Sequence, residues 1–119
     1  MKVNLVCINN KLLIGEDSNK ISFRDNITAN VYWEKTLESP VAFDFVILEK
    51  SQCFYLALEN GKILAINFED GEVLWTCDTS GALFGNFTIK NDYIYGVKTA
   101  NKIFKINLYT GQLVYHVSV

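Results

Sequence analysis

Residues 61–75 read GKILAINFEDGEVLW, and residues 101–115 read NKIFKINLYTGQLVY. At an offset of 40, Lys62 falls on Lys102, Ile63 on Ile103, Ile66 on Ile106, Asn67 on Asn107, Gly71 on Gly111, Leu74 on Val114 and Trp75 on Tyr115. A shift of 42 in the other direction gives NKISFRDNITANVYW at residues 19–33, where Lys20, Ile21 and Trp33 repeat and Asp25 stands for Asn67. One unit is thus written three times, and a repeat of this length decides the fold before any single element is read.

The match extends upstream. Asn9–Ile14, Ser51–Leu56 and Asn91–Gly96 run in parallel, and a further apolar run precedes each: Leu5–Ile8, Phe45–Leu48 and Phe87–Ile89. Each unit therefore holds four short segments rich in Val, Ile, Phe, Tyr and Trp, which is strand composition. Asp70-Gly71 and Thr110-Gly111 read as tight turns, because glycine takes positive φ without a steric cost. Asn60-Gly61 marks a second turn, with Asn19 and Asn101 in related places. Leu64, Ile66 and Phe68 alternate onto one face, as do Phe104, Ile106 and Leu108. The stretch VAFDFVILEKSQCFYLALEN also admits a helical period, but its copies are bounded by Asn and Gly at hairpin spacing, so strands are expected. The expectation is an all-β chain of three consecutive four-stranded antiparallel blades, in a single domain 1–119 divided at about 1–39, 40–80 and 81–119.

The chain has 119 residues, half of them hydrophobic, and a net charge of -2. That length buries a core without staples, and the charge argues against a nucleic-acid partner. Residues 41–80 carry two lysines against seven acids, and residues 81–119 carry four lysines against one. Cys7, Cys53 and Cys77 are odd in number and widely spaced, so free thiols in a reducing compartment are expected. No apolar run suits a signal peptide or a membrane span, which places the protein in the cytoplasm, and Met1 favours a complete small protein. Two glycosylation sequons, at Asn26 and Asn86, are then chance matches.

GKILAINFEDGEVLW closely resembles the repeat of the PQQ-like, quinoprotein-type β-propellers, in which a Gly-Lys pair opens a strand, a Thr-Gly or Asp-Gly turn follows and tryptophan ends the next strand. The resemblance implies propeller blades and leaves activity open, since one fold hosts many functions. The departures are specific. Ala29 stands for Gly71 and Gly111, Ser22 and Arg24 stand for Leu64/Ile66 and Phe104/Ile106, and Tyr115 stands for tryptophan. The polar first unit reads as a cap or an eroded copy. Because the family's rings take six to eight blades, three blades leave two faces bare. Two chains closing one ring, a compact stack or a piece of a larger propeller would each answer that, and the homodimer is slightly favoured. Trp33, Trp75 and Tyr115 are expected between blades.

Nothing in the sequence builds a catalytic centre. His116 is the lone histidine and reads as a half-buried strand residue. Glu16-Asp17, Asp44, Glu69-Asp70-Glu72 and Asp78 lack the spacing of a calcium loop, and no glycine-rich phosphate loop is present. No catalytic, metal or cofactor residue is assigned, and no cofactor is expected. The expected function is a non-catalytic protein-binding module, in its concrete form a small cytosolic immunity-type inhibitor of a toxin. Glu59, Glu69, Asp70, Glu72 and Asp78 are the expected partner-binding residues, suited to a basic toxin or nuclease. The alternatives are part of a PQQ-dependent oxidoreductase and a scaffold within a larger complex.

Overall fold

The computed structural model describes residues 4–16, 19–99 and 101–119. Its strands form three four-stranded antiparallel sheets, each continuous in sequence. Blade 1 holds β1 (Asn4–Ile8), β2 (Lys11–Gly15), β3 (Lys20–Asp25) and β4 (Val31–Thr36). Blade 2 holds β5 (Val46–Leu48), β6 (Cys53–Ala57), β7 (Lys62–Asn67) and β8 (Val73–Asp78). Blade 3 holds β9 (Thr88–Lys90), β10 (Tyr93–Lys98), β11 (Lys102–Asn107) and β12 (Leu113–Ser118). The stretch open to a helical reading is β5, a short 3-10 turn at Glu49–Ser51, and β6.

The repeat holds down to single hydrogen bonds. Between the third and fourth strands, the N–H of Gly71 donates to Asn67 O at 2.8 Å, that of Gly111 to Asn107 O at 2.9 Å, and that of Ala29 to Asp25 O at 2.9 Å. The residue that opens each turn caps it. Asn67 Oδ1 accepts from the Glu69 N–H, Asn107 Oδ1 from Tyr109 and Thr110, and Asp25 Oδ2 from Ile27 and Thr28. A short side-chain oxygen reaching the backbone two residues on is the reason for Asn or Asp there. The loop is longer than the tight hairpin expected, because a register shift follows it in every blade, at Phe23/Arg24, Ala65/Ile66 and Lys105/Ile106. Positive φ falls at Gly71 (75°), Gly111 (73°) and Ala29 (63°).

Strand alternation then sends side chains to opposite faces. Ile8, Leu13, Ile21 and Phe23 of blade 1 pack on Phe54, Leu56, Leu64, Ile66 and Phe68 of blade 2. Tyr55, Ala57, Ile63, Ala65 and Trp75 on the other face of blade 2 pack on Ile94, Phe104, Ile106 and Leu108 of blade 3. Both faces of blade 2 are covered, so every residue of β6 is buried. Each fully buried large aliphatic or aromatic side chain contributes about 1.5–3 kcal/mol. A further device locks the blades. Trp33 Nε1 donates to Phe68 O at 2.8 Å, and Trp75 Nε1 donates to Leu108 O at 2.9 Å.

The two outer faces differ from these interfaces. On blade 1, the buried Ser22 hydroxyl accepts from Arg24 Nε at 3.1 Å, and Lys20 pairs with Glu34 at 3.2 Å. A polar row therefore stands where blades 2 and 3 place their apolar contacts. On blade 3, Tyr115 corrects an expectation: it is 36% exposed, against 9% for Trp75, because among the described residues none packs over it as blade 3 packs over Trp75.

Candidate protein-binding surfaces

The turns divide into two rims. One rim carries the turn from the first to the second strand and the turn from the third to the fourth in each blade. The other rim carries the remaining turn and the connections between blades. This division separates the expected partner-binding acids. Glu69, Asp70 and Glu72 lie in the β7–β8 turn on the first rim, whereas Glu59 lies in the β6–β7 turn. Asp78 pairs across from Lys62 at that second end, the full length of β7 away. Asp17 lies outside the described residues.

The first rim has a firm frame. Phe68 N–H donates to Gln52 O at 3.0 Å, and Gln52 Nε2 donates to Glu69 Oε1 at 3.1 Å, so the β5–β6 and β7–β8 turns are tied. Glu49 of the 3-10 turn joins the same edge. Among the described residues, none of Glu49, Glu69, Asp70 and Glu72 is in an ion pair. On this rim opens a cavity of ≈ 530 Å³ whose walls include Ile47, Leu48, Leu108 and Tyr109 together with the charged Glu49 and Lys50. Tyr109 is 65% exposed, and its hydroxyl donates to Asp92 Oδ1 at 2.8 Å. That contact, first among its causes, pushes the Tyr109 phenol above its usual value.

Blade 3 holds two features the sequence reading missed. Lys105 takes the place of the buried Ala65, and its ammonium stands 4.0 Å from the Tyr93 ring centre, 5.6 Å from Tyr95 and 5.9 Å from Tyr115. A cation over aromatic faces is held electrostatically. Lys98 takes the place of Leu58 and is buried. Its ammonium donates to Thr79 O, to Ser80 O at 3.0 Å and to His116 Nε2 at 3.2 Å. Desolvation, with Lys98 and Lys102 nearby, lowers the His116 pKa. The signal for Lys105 was present in the repeat, a charge on a row that holds Phe23 and Ala65 in the other units, whereas Lys98 shares its row with Leu58 and the charged Glu16.

Cys53 and Cys77 are buried and free, Cys7 is exposed and free, and burial raises the thiol pKa of the first two. Among the described residues, no three His, Cys, Asp or Glu side chains group to hold a metal, and His116 is engaged by Lys98. These residues do not fit a metal–quinone centre. No helix among the described residues is long and apolar enough to cross a membrane.

The family model described as outer membrane protein assembly factor BamB matches residues 5–119. The chain belongs to this family of PQQ-like repeats. No curated protein matches it by sequence. Among solved structures it resembles BamB from Moraxella catarrhalis, at 14% identity and a TM-score of 0.78, over 97% of this chain and 35% of that one. It resembles the computationally designed Ika4 protein at 14% identity and a TM-score of 0.79, over 98% of this chain and 72% of that one. It also resembles a europium-containing methanol dehydrogenase at 11% identity and a TM-score of 0.75, over 95% of this chain and 24% of that one. At these identities the likeness is one of fold. The chain spans 35% of the BamB structure's length.

Proposed function

We infer that this BamB-family chain is a non-catalytic protein-binding module whose contact surface is the first rim. The carrying observation is the ≈ 530 Å³ cavity on this rim, lined by apolar residues together with Glu49 and Lys50, beside the turn of Glu69, Asp70 and Glu72 that Gln52 ties to the same edge; among the described residues none of the four carboxylates is in an ion pair. An apolar centre within a charged border is how protein interfaces combine affinity with orientation. On this edge the four carboxylates outnumber Lys50, which favours a basic partner, and a toxin or nuclease inhibited by a small cytosolic chain is the concrete form of this reading. Glu59 and Asp78, at the opposite end of blade 2, lie outside that contact.

Co-expression with the host proteome, followed by solution mass of the purified chain, tests it. A one-to-one complex is expected, and Glu69→Lys with Glu72→Lys should dissolve it without lowering the melting temperature. A chain that purifies alone at low salt, or a complex indifferent to the charge reversal, would sink the reading.

A further inference from the structure

We propose that the first-rim groove between blades 2 and 3 seats a short basic segment of the partner, with an apolar side chain in the cavity and an arginine over the Tyr109 ring, against Glu49. The proposal rests on the reading of this rim as a contact surface, and it names what enters it.

Both walls of the groove belong to this chain. Ile47 and Leu48 of β5 form one, Leu108 and Tyr109 of the β11–β12 turn form the other, and Val6 of β1 adds to them. A blade placed before blade 1 or after blade 3 would stack on an outer face and leave this groove open at the rim. Its ≈ 530 Å³ falls in the range of sites that enclose a small ligand, so it admits a side chain together with its backbone.

The walls are held in place within the chain. Leu108 N–H donates to Asp92 O at 2.9 Å, as Phe68 N–H donates to Gln52 O at 3.0 Å. Tyr109 is pinned at both ends: its N–H donates to Asn107 Oδ1 at 2.9 Å and its hydroxyl to Asp92 Oδ1 at 2.8 Å. On the facing wall, Gln52 N–H closes the 3-10 turn on Glu49 O at 3.0 Å. Walls ordered beforehand lose little entropy on binding.

The repeat shows what is particular to this groove. Glu69 held by Gln52 in blade 2 is the counterpart of Tyr109 held by Asp92 in blade 3. Blade 3 thus exchanges an acid at the tip for an exposed ring and keeps the carboxylate behind it. Within the lining Lys50 opposes Glu49, and Asp92 leaves the balance negative. Among the described residues, neither Glu49 nor Asp92 is in an ion pair. An exposed ring beside free carboxylates suits a cation with a flat face. Guanidinium stacks on the ring and forks to a carboxylate, whereas an ammonium is a strongly hydrated point charge.

Titration of the isotope-labelled chain with acetyl-Arg-Ile-Arg-amide, followed by amide chemical shifts, reads the groove directly. Shifts should gather at residues 47–51 and 108–109. Citrulline in place of both arginines keeps the shape without the charge and should weaken binding at least about tenfold. Lysine keeps the charge without the stacking and should weaken it about threefold. Tyr109→Ala, at an exposed position, should abolish the preference for arginine over lysine, and the spectrum itself confirms that the variant is folded. No shift at the groove, or a citrulline or lysine peptide that binds as tightly as arginine, would overturn the proposal. The peptide needs no partner, so its failure is distinct from that of the rim. A complex that Glu69→Lys with Glu72→Lys dissolves, alongside a peptide that leaves the groove unmoved, keeps the contact rim and removes this occupant. A seated peptide on a chain that purifies alone does the reverse.

Discussion

The indole of Trp75 lies so close over Gly111 that a Cβ on the glycine would sit 2.4 Å from Cδ2. The same indole donates its N–H to Leu108 O, three residues earlier. One side chain thus fixes both the spacing and the register of two blades. Trp33 does the same on Gly71 and Phe68.

Replacing the indole tests this lock. Trp75→Phe and Trp33→Phe keep a ring but leave a carbonyl without its donor, which should cost about 1–3 kcal/mol each. Tyr115→Phe, at the same repeat position with no socket beneath it, should change stability by less than about 0.5 kcal/mol. Urea unfolding monitored by circular dichroism reads all three, and equal losses at the three sites would refute the lock.

The glycine side of the contact gives the converse pair. Gly111→Ala places a methyl in the Trp75 ring at φ +73°, and should lose about 2–4 kcal/mol from overpacking and backbone strain. Ala29→Gly meets no ring and relieves a positive φ. Its effect should stay within about 1 kcal/mol, toward stability. The midpoints of denaturant curves separate the two.

His116 predicts a pH dependence. Its pKa is lowered in the folded chain by desolvation and then by Lys98 and Lys102. The unfolded chain therefore takes up the proton first as pH falls. Stability from this site is full above the ordinary value of 6.5 and is lost as pH drops through the lower folded pKa. Protonation also removes the acceptor that Lys98 uses. Melting temperatures of wild type and His116→Gln, compared at pH 7.5 and pH 5.5, should converge at the lower pH; parallel curves would exclude the contact.

Much of the fold was legible because strand faces alternate with a period of two and turns need particular residues. The faces of Leu64/Ile66/Phe68 and Phe104/Ile106/Leu108, the positive φ at Gly71 and Gly111, and the polar first blade all follow from local chemistry. Tyr115 was misplaced because repeat spacing shows which position a residue holds but not whether a neighbour covers it. The five acids looked like one cluster for a related reason. Glu59 and Glu69 are close in sequence, yet the six residues of β7 between their turns set them about 20 Å apart along the strand.

The sequence by itself determined three copies of a four-strand unit, their turns and their two faces, since these depend on neighbours within a few residues. Only the tertiary structure decided which face is covered. It seated Trp33 and Trp75 on glycines of the next blade, ringed Lys105 with tyrosines, and buried Lys98 against Thr79 and Ser80. Those contacts join residues far apart along the chain, and the packing of one sheet on the next alone brings them together.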